Sequence, residues 1–340
     1  MMLNLLKVGV FLIIIFSTIG CSSTMNNQHK KFTWGAQKSG PKGYPVNILS
    51  ATLFFKGEDV GLPTPDGPSD GKWGRGISNH PHVERSLPDR LKVTFYSYAE
   101  NQAYHGIFDL PYDKLVELFQ WGVDNPKIMG EMSLPIFTRF VVGIAPGGTV
   151  AVWIKGHGEQ REVFFGKAEK IDMSLSSVFQ VPFRNKDEAE IFRVEVLQET
   201  VGEEQFNNIQ KNGAPFDIWM RYRKPFQWII EAKNNAPISN LYVSHINGEF
   251  FSAKTDYSQI NNSSIPSFIR FRFASELYEV NLDDYETIAA FEELDAVEGL
   301  KPEERLIHIE VTPRLPVETS SIRLYNTKHS IKLEKAAFLP

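Results

Sequence analysis

The sequence predicts a strand-rich α+β fold built from two related sheet-plus-short-helix halves that arose by internal duplication. Three observations predict it. Leu91, Val93 and Phe95 alternate with Lys92 and Thr94, which puts three apolar side chains on one face of a strand. Leu115, Leu118 and Phe119 fall at helical spacing, with Asp109 near the expected N-terminus of the helix and Gly122 just beyond its expected end near Phe119. One order of signals also occurs twice. Ser86-Leu87-Pro88 leads into the alternating strand, and Phe108-Asp109-Leu110 leads into the helix. Ser264-Ile265-Pro266 leads likewise into Ile269, Phe271 and Phe273, and Val280-Asn281-Leu282 into a helical pattern carrying Ile288 and Phe291. Each half then runs through an apolar strand closed by Pro146 or Pro313 and a further strand, Val150 to Ile154 or Ile322 to Tyr325. The repeated unit reads as strand, turn, strand, short helix, strand, turn, strand.

Residues 1–20 form the first element. Lys7 precedes the apolar run Val8 to Phe16, and Ser17-Thr18-Ile19-Gly20 leads into Cys21, the one cysteine of the 340 residues. A short positive region, an apolar run too short to span a bilayer comfortably and a small residue before the cut describe a signal peptide. Gly20-Cys21 resembles the lipobox of bacterial lipoproteins, which implies that Cys21 is acylated and becomes the new N-terminus. Thr18 stands where that pattern prefers Leu, Val or Ile. Ser22, where Asp would retain the protein, resembles the signal for export to the outer membrane. Residues 21–32 are then the lipidated cysteine and a flexible tether, whose ten residues from Ser22 to Lys31 reach at most roughly 35 Å.

The folded body follows. Residues 33–184 are expected as the first half, 185–213 as a charge-rich, partly helical connector and 214–340 as the second half. Gly147-Gly148 and Asn247-Gly248, each between apolar runs, signal hairpins. The formal charge is -5, and removal of residues 1–20 takes away only Lys7, leaving -6. Mild acidity without a polybasic run argues against nucleic acid as a partner. With Cys21 acylated no disulfide can form, so stability must come from packing.

Several of these residues together resemble a known family. Pro146-Gly147-Gly148-Thr149-Val150-Ala151-Val152-Trp153, the Leu87-Pro88 strand with Ser97 and Glu100, Phe108 to Pro111, Trp73-Gly74 and Asn247-Gly248-Glu249 are similar to the bacterial lipoprotein family called domain of unknown function 2931. The resemblance extends over most of the mature chain. It implies a cell-envelope lipoprotein and supplies no reaction and no catalytic residues. Some lipoproteins of this general sort resemble immunity proteins that neutralise secreted antibacterial toxins.

Candidate chemistry is sparse. His80, His82 and Glu84 share one face of an extended segment and could face a metal ion, but no third, distant ligand is apparent, and surface histidines are common in such Gly- and Pro-rich loops. His245 and His308 sit at strand-like positions and read as structural. Asp66, Ser69 and Asp70 lack the spacing of a calcium loop and read as turn residues. No Gly-x-Ser-x-Gly elbow is present, and an acylated Cys21 leaves no thiol nucleophile. The expectation is therefore a non-enzymatic outer-membrane lipoprotein without a cofactor, facing the periplasm of a Gram-negative bacterium and binding a protein partner. A carbohydrate- or envelope-polymer-binding module using an exposed Trp73 in the long loop 57–85 is the alternative, and a metal-dependent enzyme built on His80 and His82 the remote one.

Overall fold

A computed structural model describes residues 30–69, 71–77, 80–233, 236–253 and 261–339. The signal peptide, Cys21, Ser22 and most of the tether lie outside the described residues, as does Asp70.

The first half begins with strand β1 (Lys31–Ser39), followed by β2 (Val46–Phe55), β3 (Pro88–Ser97), β4 (Gln102–Asp109), helix α1 (Tyr112–Asp124), β5 (Phe137–Ala145), β6 (Thr149–Gly156) and β7 (Glu159–Lys167). Lys31 and Phe32, placed in the tether by the sequence, belong to β1. Phe32 is buried and packs edge-on against Phe119 at 5.5 Å between ring centroids, so the body claims the chain earlier than its polarity suggests. The α1 helix continues past Phe119 to Asp124 and contains Gly122 rather than ending at it. A side chain there would press on Ile136 and Phe137, so this glycine permits close packing. Its N-cap is Pro111, with no side-chain cap, while Asp109 stays in β4. The loop 57–85 is not bare either, since 61–63, 67–69 and 83–86 form short strands paired with β2 or β1.

Helices α2 (Lys186–Val201) and α3 (Glu203–Asn212) make up the expected connector. Asn185 caps α2 by accepting the Glu188 N–H at 2.9 Å, and Gly202 turns the chain at φ +78°. Their buried residues Leu197 and Ile209 join Tyr98, Val141, Ala151 and Trp153 in one apolar cluster. These helices therefore cover the second face of the β5–β6 hairpin. The first face, bearing Phe140, Val142, Val150 and Val152, packs against β2, β3 and α1.

The second half contains β8 (Phe226–Ala232), β9 (Ser239–His245), β10 (Phe250–Ala253), β11 (Pro266–Phe273), β12 (Glu276–Asn281), α4 (Asp284–Asp295), β13 (Ile307–Thr312), β14 (Ser321–Tyr325), β15 (Ser330–Lys332) and β16 (Ala337–Leu339). Its connectivity repeats that of the first. β1 runs parallel to β5, and β8 runs parallel to β13. β2 pairs with β3 and β3 with β4, as β9 pairs with β11 and β11 with β12. The buried indole of Trp34 donates to the Ser86 carbonyl at 3.2 Å, and that of Trp228 to the Ser264 carbonyl at 3.3 Å, so the two matched Ser-x-Pro entries hold matched tryptophans.

The halves meet in a ten-stranded sheet with the order β16, β12, β11, β9, β10, β7, β6, β5, β1 and the strand 83–86. Among the described residues two pairs, Glu159 with Phe251 and Gln160 with Phe250, carry the ladder across the junction.

Candidate functional site

A cleft opens where the halves join, and a single row of residues across the sheet forms its floor. Arg139 of β5 pairs with Lys155 of β6, Lys155 with Gln160 of β7, Gln160 with Phe250 of β10, Phe250 with Ser244 of β9, Ser244 with Phe268 of β11 and Phe268 with Asn281 of β12. Directly paired residues project from the same face. The row thus brings residues from both halves onto one surface.

The segment 71–75 arches over this floor and is clamped there. Gly74 and Gly248 both have positive φ, +76° and +90°, and a Cβ at Gly74 would lie 2.3 Å from the Gly248 Cα. Gln160 holds both loops, its amide donating to the Gly74 carbonyl at 2.7 Å and the Gly248 carbonyl at 2.6 Å. The Trp153 indole donates to the Asn247 carbonyl at 3.2 Å and packs edge-on against Trp73 at 5.0 Å. Trp73-Gly74, Trp153 and Asn247-Gly248, remote in sequence, therefore form one knot. Glu249 completes it by accepting the Glu162 N–H and the Asn247 side-chain amide.

The cleft has two lobes that share Lys72, Trp73, Arg75 and Asn281. The lobe over the sheet, of about 520 Å³, is lined by Lys72, Arg75, Lys155 and Arg270, with Tyr242, Phe250 and Phe268 between them and, among the described residues, by no carboxylate. The other, of about 830 Å³, is walled by Tyr44, Trp219, Tyr222 and Tyr285 and carries Asp283 and Asp284. Burial holds the Lys155 ammonium below the usual lysine range, and the nearby Arg139 and Arg75 charges lower it further. Lys72 is reached by solvent yet surrounded by protein. Desolvation lowers its pKa, against the opposing pull of Asp284, whose own carboxyl is pushed up by burial. Arg270 is paired with Glu279 outside the lobe.

Lys72 also donates to Ser267 Oγ at 2.9 Å. The same hydroxyl donates to the Ser244 carbonyl at 3.2 Å, which leaves it accepting from an ammonium. A nucleophile and its general base need the opposite arrangement, with the hydroxyl donating to a neutral amine. This pair is a structural tie.

The residues singled out in the sequence lie mostly elsewhere. Among the described residues no group of three or more His, Cys, Asp or Glu is placed to hold a metal ion. His82 lies near Arg139 and His157, which with burial lower its pKa and disfavour the imidazolium. Asp66 offers its backbone carbonyl to Lys38. His308 bonds Glu231 at 3.2 Å and stacks on Tyr325. His245 borders the cleft, but both ring nitrogens are buried without a hydrogen-bond partner among the described residues. Trp73, proposed as an exposed carbohydrate shelf, is buried against Trp153 and Trp219, and Trp121 is the tryptophan that stands exposed. The cationic residues of the lobe escaped the sequence reading because they are scattered from 72 to 270. The nearest signal was Lys155, a lone cation that follows directly on the continuous apolar run Val150 to Ile154.

Glu100 turns out to be structural. It accepts the Gly147 N–H at 2.9 Å and the Tyr104 hydroxyl at 2.6 Å, which fixes the Pro146-Gly147-Gly148 turn. Comparison with curated proteins and with solved structures finds no match. A family described as protein of unknown function (DUF2931) matches residues 22–217, a span that includes Trp73-Gly74, Glu100 and Pro146 to Trp153 and stops short of Asn247-Gly248-Glu249. That span also takes in α2 and α3 and ends two residues before the buried Trp219. With more than half of its 340 residues matched, the chain belongs to the DUF2931 family of proteins of unknown function.

Proposed function

We propose that this chain is a non-enzymatic lipoprotein of the cell envelope, anchored in the outer membrane through an acylated Cys21, and that it binds a protein partner at the cleft between its halves. The observation that carries the reading is the cleft itself, an open groove with cations and aromatic rings on a sheet floor that spans both halves. Recognition of a macromolecule needs complementary shape and charge over a standard interface, roughly 800 Å² on each side, and no reacting group. Sequence supplies the anchor, since Gly20-Cys21-Ser22 follows a signal-peptide pattern.

Immunity against a secreted antibacterial toxin is the sharpest form of this reading. An inhibitor tethered by about ten residues would wait where an envelope-attacking toxin arrives. The test is in-cell crosslinking from a photoreactive residue at Tyr242, in envelopes exposed to competitor bacteria, with captured partners identified by mass spectrometry. Capture of a lipase or peptidoglycan hydrolase supports immunity, and recovery of polysaccharide alone overturns the protein-partner reading. Cys21→Ser is expected to weaken protection while leaving binding in solution intact. Equal protection by the unanchored protein would remove location from the mechanism.

A further inference from the structure

We propose that the sheet-face lobe of the cleft is a binding site for an acidic peptide segment, in which carboxylates meet Lys155, Arg75 and Lys72 while an apolar neighbour lies on Phe250 and Phe268. The inference rests on the protein-partner reading of the cleft and gives that partner a chemistry.

Charge placement is the first argument. Lys155 and Arg139 stand directly opposite each other on adjacent strands, and like charges so placed destabilise a sheet. Arg75 is close enough to lower the Lys155 pKa further. Lys155 has no ion-pair partner among the described residues and instead lies over the Phe250 ring at 5.9 Å. Lys155, Arg75 and Lys72 are like charges gathered in one concavity of a chain with formal charge -5, and an anion in the lobe would relieve them.

The form of the lobe selects among anions. A single phosphate needs donors converging on one point, commonly backbone N–H groups of a glycine-rich turn. Here Lys155 and Arg270 rise from strands four positions apart in the sheet, about 19 Å at ordinary strand spacing, with rings between them. Lys155 and Arg270 thus stand at the ends of a row of rings, Phe250, Tyr242 and Phe268, with Lys72 and Arg75 on the segment that arches over it. Spaced carboxylates on an extended segment with apolar residues between them match cations separated by rings in this way.

The probe is a fluorescent hexapeptide of alternating glutamate and phenylalanine, titrated into the purified full-length protein. Binding is expected, weakened roughly tenfold or more by Lys155→Glu and by Arg75→Glu, weakened by salt, and unchanged by Lys92→Glu on a distant strand. Lys155→Gln serves if charge reversal impairs folding, with a smaller loss of the same sign. Absence of binding, or equal binding by the cleft variants, overturns the proposal. So does preference for inorganic phosphate or phosphatidylglycerol vesicles over the peptide, which would make the lobe a phosphate site. Should crosslinking at Tyr242 still capture a protein while the peptide fails, the partner reading stands and its acidic chemistry falls.

Discussion

Two buried titratable side chains near the junction oppose each other in their response to pH. Burial pushes the Glu162 carboxyl up to about 7, overriding the Arg223 guanidinium at 2.7 Å. Desolvation pulls His245 down to about 4 between Trp228 and Phe251. For Glu162 the raised pKa gives a contribution fully present below the unfolded value near 4.5 and lost as pH rises through 7. For His245 the lowered pKa gives one present above 6.5 and lost as pH falls through 4. Each is on the order of 3 kcal/mol, so they largely cancel between about pH 4.5 and 6.5. Glu162→Gln is expected to leave a protein that loses stability on acidification across this window, and His245→Phe one that loses it on alkalisation. Urea unfolding at several pH values checks both, and parallel profiles for the two variants would show that neither group carries the effect. At the same scale, Gly248→Ala should cost about 3 kcal/mol, because φ of +90° and the 2.7 Å approach to Gly74 leave no room for a methyl group. A melting temperature unchanged from the parent would refute the clamp.

Among the elements, the β5–β6 hairpin organises the first half because both of its faces are buried. Its turn is held from outside by Glu100, so Glu100→Ala strips the Gly147 N–H and the Tyr104 hydroxyl of their acceptor. A loss of about 2 kcal/mol is expected in denaturant titration, and a loss indistinguishable from zero would mean that the turn holds itself. The hairpin, α1 and α4 were legible from alternation, helical spacing and Gly-Gly, since local signals state local structure. The end of α1 was misread because Gly122 looks like a stop signal, whereas its packing against Ile136 and Phe137 is a tertiary fact. Phe32 was likewise assigned to a polar tether, and nothing in its immediate neighbours reveals Phe119 beside it.

At the scale of the whole molecule, the helices of segment 185–213 belong with the first half. They cover Val141, Ala151 and Trp153, and the family span ends just after them. A chain cut after residue 184 is therefore expected to expose that face and unfold without cooperativity. One ending at residue 223, which keeps Leu197, Ile209 and Trp219, should unfold as a unit, and calorimetry of the two fragments distinguishes them. Identical behaviour would show the helices to be a mere linker. The sequence by itself determined the strand-rich α+β class, the recurring order of elements and the family, because alternation, turn chemistry and local motifs are written along the chain. Only the tertiary structure decided that Trp73 is buried, that Gly74 meets Gly248, and that Lys72, Arg75 and Lys155 share a cleft with Arg270. Those residues become neighbours through sheet register between halves and through the arch that Gln160 and Gly248 hold over it, long-range contacts that leave no periodic trace in any one segment.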